Sequence, residues 1–226
     1  MANYTIDLQM SSETVHGLKV AGYSLFAFKA VRTAAAAKPT VWFSTNTYET
    51  DSKLSWQENY EGYNSSTAVV PGGTIKVANS EPFDIDETMT IAADGTISVV
   101  SGGLGHAMAV VNLADSPYTT GISQEDPNGH YAPLCAFSLN GGGMTVTFTP
   151  VEKVLLMFAT SAIDTGAVIE QAFSQGALID LTGVSSRSVS YALNTGWVKQ
   201  PFVQIVPALS KIDPLLIVQD RLAQAA

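Results

Sequence analysis

Leu54-Ser55-Trp56-Gln57-Glu58-Asn59-Tyr60-Glu61 is the stretch that decides the fold class. In an extended chain Leu54, Trp56, Glu58 and Tyr60 fall on one side, and Ser55, Gln57, Asn59 and Glu61 on the other. A period of two marks a strand with one buried face. Upstream, 41–48 reads as the partner arm of a hairpin turned across 49–53. Before it, 23–32 is apolar and aromatic. Downstream, 74–78 reads as a short strand, and 88–92 and 96–100 flank Asp94-Gly95, where glycine supplies the positive φ of a tight hairpin. After 107–113, the polar segment 115–132 reads as a long irregular loop and candidate rim of a site. The runs 134–139 and 144–149 read as a second hairpin joined by Asn140-Gly141-Gly142-Gly143. The run 151–160 is apolar at nearly every position after Lys153, as in a strand covered on both faces. Further strands are expected over 168–173, 177–181, 189–193 and 197–205.

Only the tail, 213–226, has a helical pattern. Asp213 can cap, Pro214 suits the first turn, and Leu215, Val218 and Leu222 recur at helical spacing, with 223–226 expected to fray. No fixed-period repeat and no composition break divides the chain. The expected fold is all-β: one domain over 1–226, an antiparallel β-sandwich or barrel of about a dozen strands with a short C-terminal helix.

Composition narrows the function classes. The chain of 226 residues is 46% hydrophobic and only 14% charged, against about a quarter charged for a typical domain. Its surface must therefore be largely neutral and polar. A net charge of −9, with 11 scattered Lys and Arg, disfavours nucleic acid and anionic membranes as partners. No apolar run approaches the roughly 18–20 residues of a membrane helix. The N-terminus lacks the basic and apolar regions of a leader, so the expected location is cytoplasmic, or outside the cell by a leaderless route. The sequons at Asn3 and Asn64 are then expected to be unused. Cys135 is the sole cysteine, so no internal disulfide forms; within Pro133-Leu134-Cys135-Ala136-Phe137 it reads as a small buried hydrophobe.

No catalytic motif is recognisable, and a non-enzymatic role is expected. His16, His106 and His130 have no metal-ligand spacing, no Gly-x-Ser-x-Gly elbow is present, and Gly102, Gly103 and Gly105 read as turn residues. Two oxygen-rich clusters, Glu81, Asp84, Asp86 and Glu87, and Glu125, Asp126 and Asn128, lack the EF-hand pattern and read as solvated edges, with cation binding as the alternative. Glu58 shares a face with Trp56 and Tyr60, where burial demands partners or a raised pKa. Trp42, Phe43, Tyr48, Trp56, Tyr60 and Tyr63 crowd one expected hairpin, and Trp197 lies near the other end. Aromatic side chains line pockets for small molecules as readily as they fill cores. Trp42, Trp56, Tyr60, Met157, Phe158 and Trp197 are therefore the candidate ligand-binding set.

The segments Val41-Trp42-Phe43-Ser44-Thr45-Asn46-Thr47-Tyr48, Leu54-Ser55-Trp56-Gln57-Glu58-Asn59-Tyr60 and Val151-Glu152-Lys153-Val154-Leu155-Leu156-Met157-Phe158 resemble a group of mushroom fruiting-body β-proteins, similar to pink polyene-binding chromoproteins. The resemblance runs from about residue 41 to Trp197. It implies a non-covalently held polyene carboxylic acid in an apolar pocket, and it assigns no site residue. Such a ligand would need a cation for its carboxylate; Lys29, Arg32, Lys153 and Arg187 are candidates, with Lys153 foremost because it borders the most apolar strand. The expected function is a binding protein for an apolar small molecule, with a second copy of the chain as an admissible partner. The alternatives are a lectin or membrane-active defence protein, and a glycan-directed hydrolase using Glu58.

Overall fold

The computed structural model describes residues 2–219. It is a mostly β structure, as expected, with nineteen strand segments and two helices among the described residues, arranged in three sheets. The first sheet is organised by the long strand Met144–Ala159. Its first half pairs with Met108–Asn112, and its second half with Ser24–Thr33 and Gly176–Asp180. The second sheet runs Gly196–Trp197, Ser186–Ala192, Asn3–Gln9, Asp51–Gln57. In the third, Tyr118–Glu125 lies between Cys135–Leu139 and Tyr60–Ser65, and the exposed strand Asn79–Pro82 closes one edge.

The main core lies where the three sheets meet. Ile6, Leu8, Leu54 and Trp56 come from the second sheet, Leu25, Ala27, Val31, Val154, Leu156 and Phe158 from the first, and Ile122 from the third. Alternation on Ser24–Thr33 sends Phe26, Phe28 and Ala30 to the opposite face, where they meet Leu155, Met157, Ile169 and Leu216. Both faces of this strand pair are thus covered, which is why 23–32 and 151–160 are apolar almost without a break.

Several sequence expectations are corrected. Segments 41–48 and 54–60 form no hairpin: Phe43–Thr45 pairs with Ser24–Thr33, and Asp51–Gln57 pairs with Asn3–Gln9. Tyr48 holds the link aside, its ring buried and its hydroxyl donating to the Tyr23 carbonyl at 2.8 Å. The supposed loop 115–132 contains Tyr118–Glu125, a central strand. It is polar in sequence because its buried hydroxyls bond carbonyls of neighbouring segments; Thr120 Oγ1 donates to Tyr63 O and Thr119 Oγ1 to Thr67 O, each at 2.6 Å. The segment Asn140-Gly141-Gly142-Gly143 crosses between sheets instead of closing a hairpin, with Gly142 and Gly143 at φ 75° and 84°. Residues 74–78 and 168–173 form only isolated bridges, and 197–205 is split into two short strands.

The pairing is mixed, with parallel contacts between Asn3–Gln9 and Ser186–Ala192 and between Glu87–Ile91 and Met108–Asn112. The tail forms a four-residue helix, Asp213–Leu216, and then a strand, Ile217–Gln219, parallel to Ser24–Thr33; the remainder, with Leu222, lies outside the described residues. A helix absent from the sequence reading covers Ser12–Val20, capped by Ser11, whose Oγ accepts from Thr14 N at 3.1 Å. No helix among the described residues is long and apolar enough to cross a membrane.

Asn64 is fully buried, its amide donating to Gly95 O at 2.6 Å, so its sequon is closed to a glycan in the folded protein. Cys135 is also fully buried, and burial pushes its thiol pKa up to about 12. The native thiol is therefore expected to stay unmodified by Ellman's reagent at neutral pH and to react stoichiometrically once urea unfolds the chain. Rapid native labelling contradicts this.

Candidate functional site

The site forms where the chain passes from one sheet to another. Asp51–Gln57 buries Leu54 and Trp56 as the alternation requires, but the ladder ends at Gln57. Glu58 and Asn59 bridge to Tyr60–Ser65 in the third sheet. Glu58 thus sits at a crossover, not within one strand between Trp56 and Tyr60. Its Oε1 accepts from the Tyr4 hydroxyl at 3.3 Å and its Oε2 from Ala2 N at 3.4 Å.

Glu152 arrives from the first sheet. The pairing of Met144–Ala159 with Ser24–Thr33 shifts register between Val151 and Val154, a bulge that frees Glu152 and Lys153 from the ladder. The Glu152 pKa is raised, first by burial and then by the charge of nearby Glu58; the Lys29 ammonium opposes the shift. The neighbouring Tyr4 hydroxyl is pushed up to about 12 by burial and by the same two carboxylates.

Behind the carboxylates lies Lys29, on the inward face of Ser24–Thr33 with Leu25, Ala27 and Val31, and only 1% exposed. Its ammonium donates to Gln124 Oε1 and lies 4.9 Å from the Trp56 ring centroid and 5.3 Å from that of Trp42. Gln124 is fixed in turn, its Nε2 donating to Gln57 O at 3.0 Å and its carbonyl accepting from Trp42 Nε1 at 3.2 Å. Burial lowers the Lys29 pKa to about 8, against the upward pull of Glu152 and Glu58. Tyr4 stacks on Trp56 at 5.7 Å, and Trp56 meets Trp42 edge-on at 5.3 Å.

In front is a cleft of about 390 Å³ lined by Glu58, Tyr60, Asp84, Ile85, Pro150 and Glu152. Three buried polar atoms in this cluster have no hydrogen-bond partner among the described residues: Trp56 Nε1, the Tyr60 hydroxyl and Glu152 Oε2. Burial and the two glutamates raise the Tyr60 pKa far above the ordinary value. Orphaned buried polar groups are uncommon and costly, and three in one cluster mark a place poised for a polar complement. Comparison with protein-family models, curated proteins and solved structures gives no match.

The candidate ligand-binding residues separate into distinct places. Trp42, Trp56 and Tyr60 come together, with Tyr60 alone of the three on the cleft wall. Phe158 and Trp197 stack on each other at 5.8 Å in the main core, where Trp197 Nε1 donates to Gln175 O at 3.1 Å. Met157 faces the second core. Lys153 lies outside, paired with Asp180 at 3.3 Å. Tyr4 and Glu152 escaped the sequence reading, and Lys29 was ranked below Lys153. The available signal for Lys29 was its parity: it is a charge inside a nearly unbroken apolar run and shares a face with Ala27 and Val31, whereas Arg32 falls on the other parity near the run's end.

The acidic clusters are engaged in holding loops. Asp86 Oδ1 accepts from His106 N, and Glu87 Oε2 accepts from Asp84 N at 2.8 Å. Asp126 Oδ1 accepts from Asn128 N at 2.7 Å and His130 N at 3.0 Å. Among the described residues no group of three or more His, Cys, Asp and Glu is placed to hold one metal ion.

Proposed function

We propose that this chain is a non-catalytic binding protein that receives a compact small molecule in the cleft of Glu58, Tyr60 and Glu152. The observation that carries this reading is a cleft of about 390 Å³ whose walls include two residues with orphaned buried polar atoms, the Tyr60 hydroxyl and Glu152 Oε2. Glu152, a carboxyl of raised pKa on the cleft wall, and a buried lysine of lowered pKa behind the opening support it, because such groups concentrate at functional sites.

Native mass spectrometry of the protein from its natural source tests the reading. A mass excess that disappears on denaturation is expected, and Tyr60→Phe, which removes one hydrogen bond worth about 1 kcal/mol, is expected to lower ligand retention several-fold. A source protein with no bound mass and no ligand-dependent shift at Tyr60 contradicts it.

A second reading keeps the apolar ligand. A groove of about 560 Å³ runs past Ile163, Val168, Ile169, Ala172 and Phe173 to Leu209. Leu209 is 73% exposed and held at φ 63°, an unfavourable conformation for an apolar residue. This groove has the larger volume and more apolar walls, and suits an extended polyene better than the acidic cleft does. An absorption band beyond the aromatic region, lost in a Phe173→Ser variant, is the expected result; a colourless source protein contradicts it.

A further inference from the structure

Three carboxylates, Glu58, Asp84 and Glu152, line the cleft, and the cation that stands behind them among the described residues, Lys29, is already bonded to Gln124. The unsatisfied atoms include Glu152 Oε2, which only accepts when ionised, and the hydroxyl of Tyr60, a side chain 7% exposed on the cleft wall. Ile85 and Pro150 supply an apolar wall beside them. Two carboxyl groups on one cleft wall beside the Lys29 ammonium lack one positive charge, which either a proton or a cationic guest supplies.

We propose that the molecule received here is a compact primary amine, bound as its ammonium ion by Glu152, Glu58 and the Tyr60 hydroxyl, with its carbon chain along Ile85 and Pro150. This rests on the cleft being the ligand site. A carboxylate guest would meet three like charges. A bare metal ion fits poorly, because the acidic groups do not converge on one point. An ammonium carries three donors on a small head and tolerates acceptors spread around it.

Binding is linked to a proton. Glu152 is faced by Glu58 at the crossover, Lys29 from Ser24–Thr33 and Tyr4 from Asn3–Gln9, and its carboxyl is raised by burial and by Glu58. Without a cation at hand, Glu152 holds its proton more readily than a free glutamate does. An ammonium at Oε2 competes with that proton, so affinity falls as pH falls.

The test uses the full chain, ¹⁵N-labelled, with the Trp56 indole N–H as reporter. It is titrated with n-butylammonium, its neutral isostere 1-butanol, and calcium, at about pH 5 and about pH 8. Saturable shifts with butylammonium alone are expected, weakened about tenfold at the lower pH and about tenfold by Glu152→Gln. Should Glu152→Gln fail to fold, Glu58→Gln serves in its place. Equal response to butanol, or response to calcium instead, overturns the amine class and leaves the cleft a ligand site. Response to none of the probes, together with no bound mass in the source protein, overturns the cleft reading as well.

Discussion

Lys29→Ala is expected to destabilise the fold by about 3 kcal/mol or more at pH 7, read from urea unfolding. Alanine leaves a cavity between Trp42 and Trp56, strips Gln124 Oε1 of its donor, and leaves Glu58 and Glu152 without a counter-charge. Lys29→Met keeps most of the volume and is expected to cost less, so the pair of variants separates packing from charge. The wild-type stability should also depend on alkaline pH in a definite sense. The Lys29 pKa falls from an ordinary 10.5 to about 8 on folding. Below about pH 8 the amine is charged in both states and the burial cost is complete. Above the unfolded pKa it is neutral in both, and the cost is absent. In between, the unfolded chain holds a proton that the folded chain has released, so the Lys29 contribution to stability rises with pH, by about 3 kcal/mol over the window, and is read as the difference between wild type and Lys29→Met because the raised Cys135 thiol pulls the opposite way in both. This rise should vanish in Lys29→Met. A loss below about 1 kcal/mol for Lys29→Ala, or the same alkaline slope in Lys29→Met, contradicts the placement of the amine.

Phe158→Ala is the second large effect, with an expected loss of about 3–5 kcal/mol by guanidinium unfolding. Phe158 is the aromatic seam between the first and second sheets. Its ring lies 5.1 Å from Tyr48, 4.8 Å from Tyr191 and 5.8 Å from Trp197. Met157, the next residue, is equally buried but faces the second core, so Met157→Ala should cost a comparable amount by a different route. The indole N–H resonance of Trp197 distinguishes them. It should move strongly in Phe158→Ala and little in Met157→Ala. Equal displacement of Trp197 by both variants contradicts the division of the core into two faces.

The strand content was legible because one-sided burial writes itself as alternation: Leu54 and Trp56 point inward as read, and 87–101 turns at Asp94-Gly95 as read. Pairing was not legible. A strand's sequence says which face is buried, not which neighbour completes its ladder, so adjacent runs such as 134–139 and 144–149 were joined although each belongs to a different sheet. Tyr118–Glu125 was missed because polar residues fill a buried strand wherever their hydroxyls find carbonyls. The helix Ser12–Val20 was missed although Ser11 and Glu13 mark its start and Lys19 its end; its apolar stripe is short, with Thr14 and Leu18 alone buried.

The candidate site was half legible. Trp56, Glu58 and Tyr60 are close in sequence and remain close in space. Tyr4, Lys29, Gln124 and Glu152 come from four separate strands, and only tertiary structure brings them to one cluster. The bulge at Val151 and Val154 decides which of two adjacent charged residues turns inward, and no local pattern distinguishes Glu152 from Lys153.

The most direct measurement is the pH titration of lysine side chains by ¹³Cε NMR in the intact protein. One resonance, assigned to Lys29 by its loss in Lys29→Met, should titrate near pH 8, at about the value burial gives it and well below the ordinary lysine value of 10.5. It should also move when Glu152→Gln removes the facing carboxylate. If the Lys29 signal titrates at the ordinary lysine value, or ignores Glu152→Gln, the amine is not enclosed behind the two carboxyl groups and the cleft loses its electrostatic foundation.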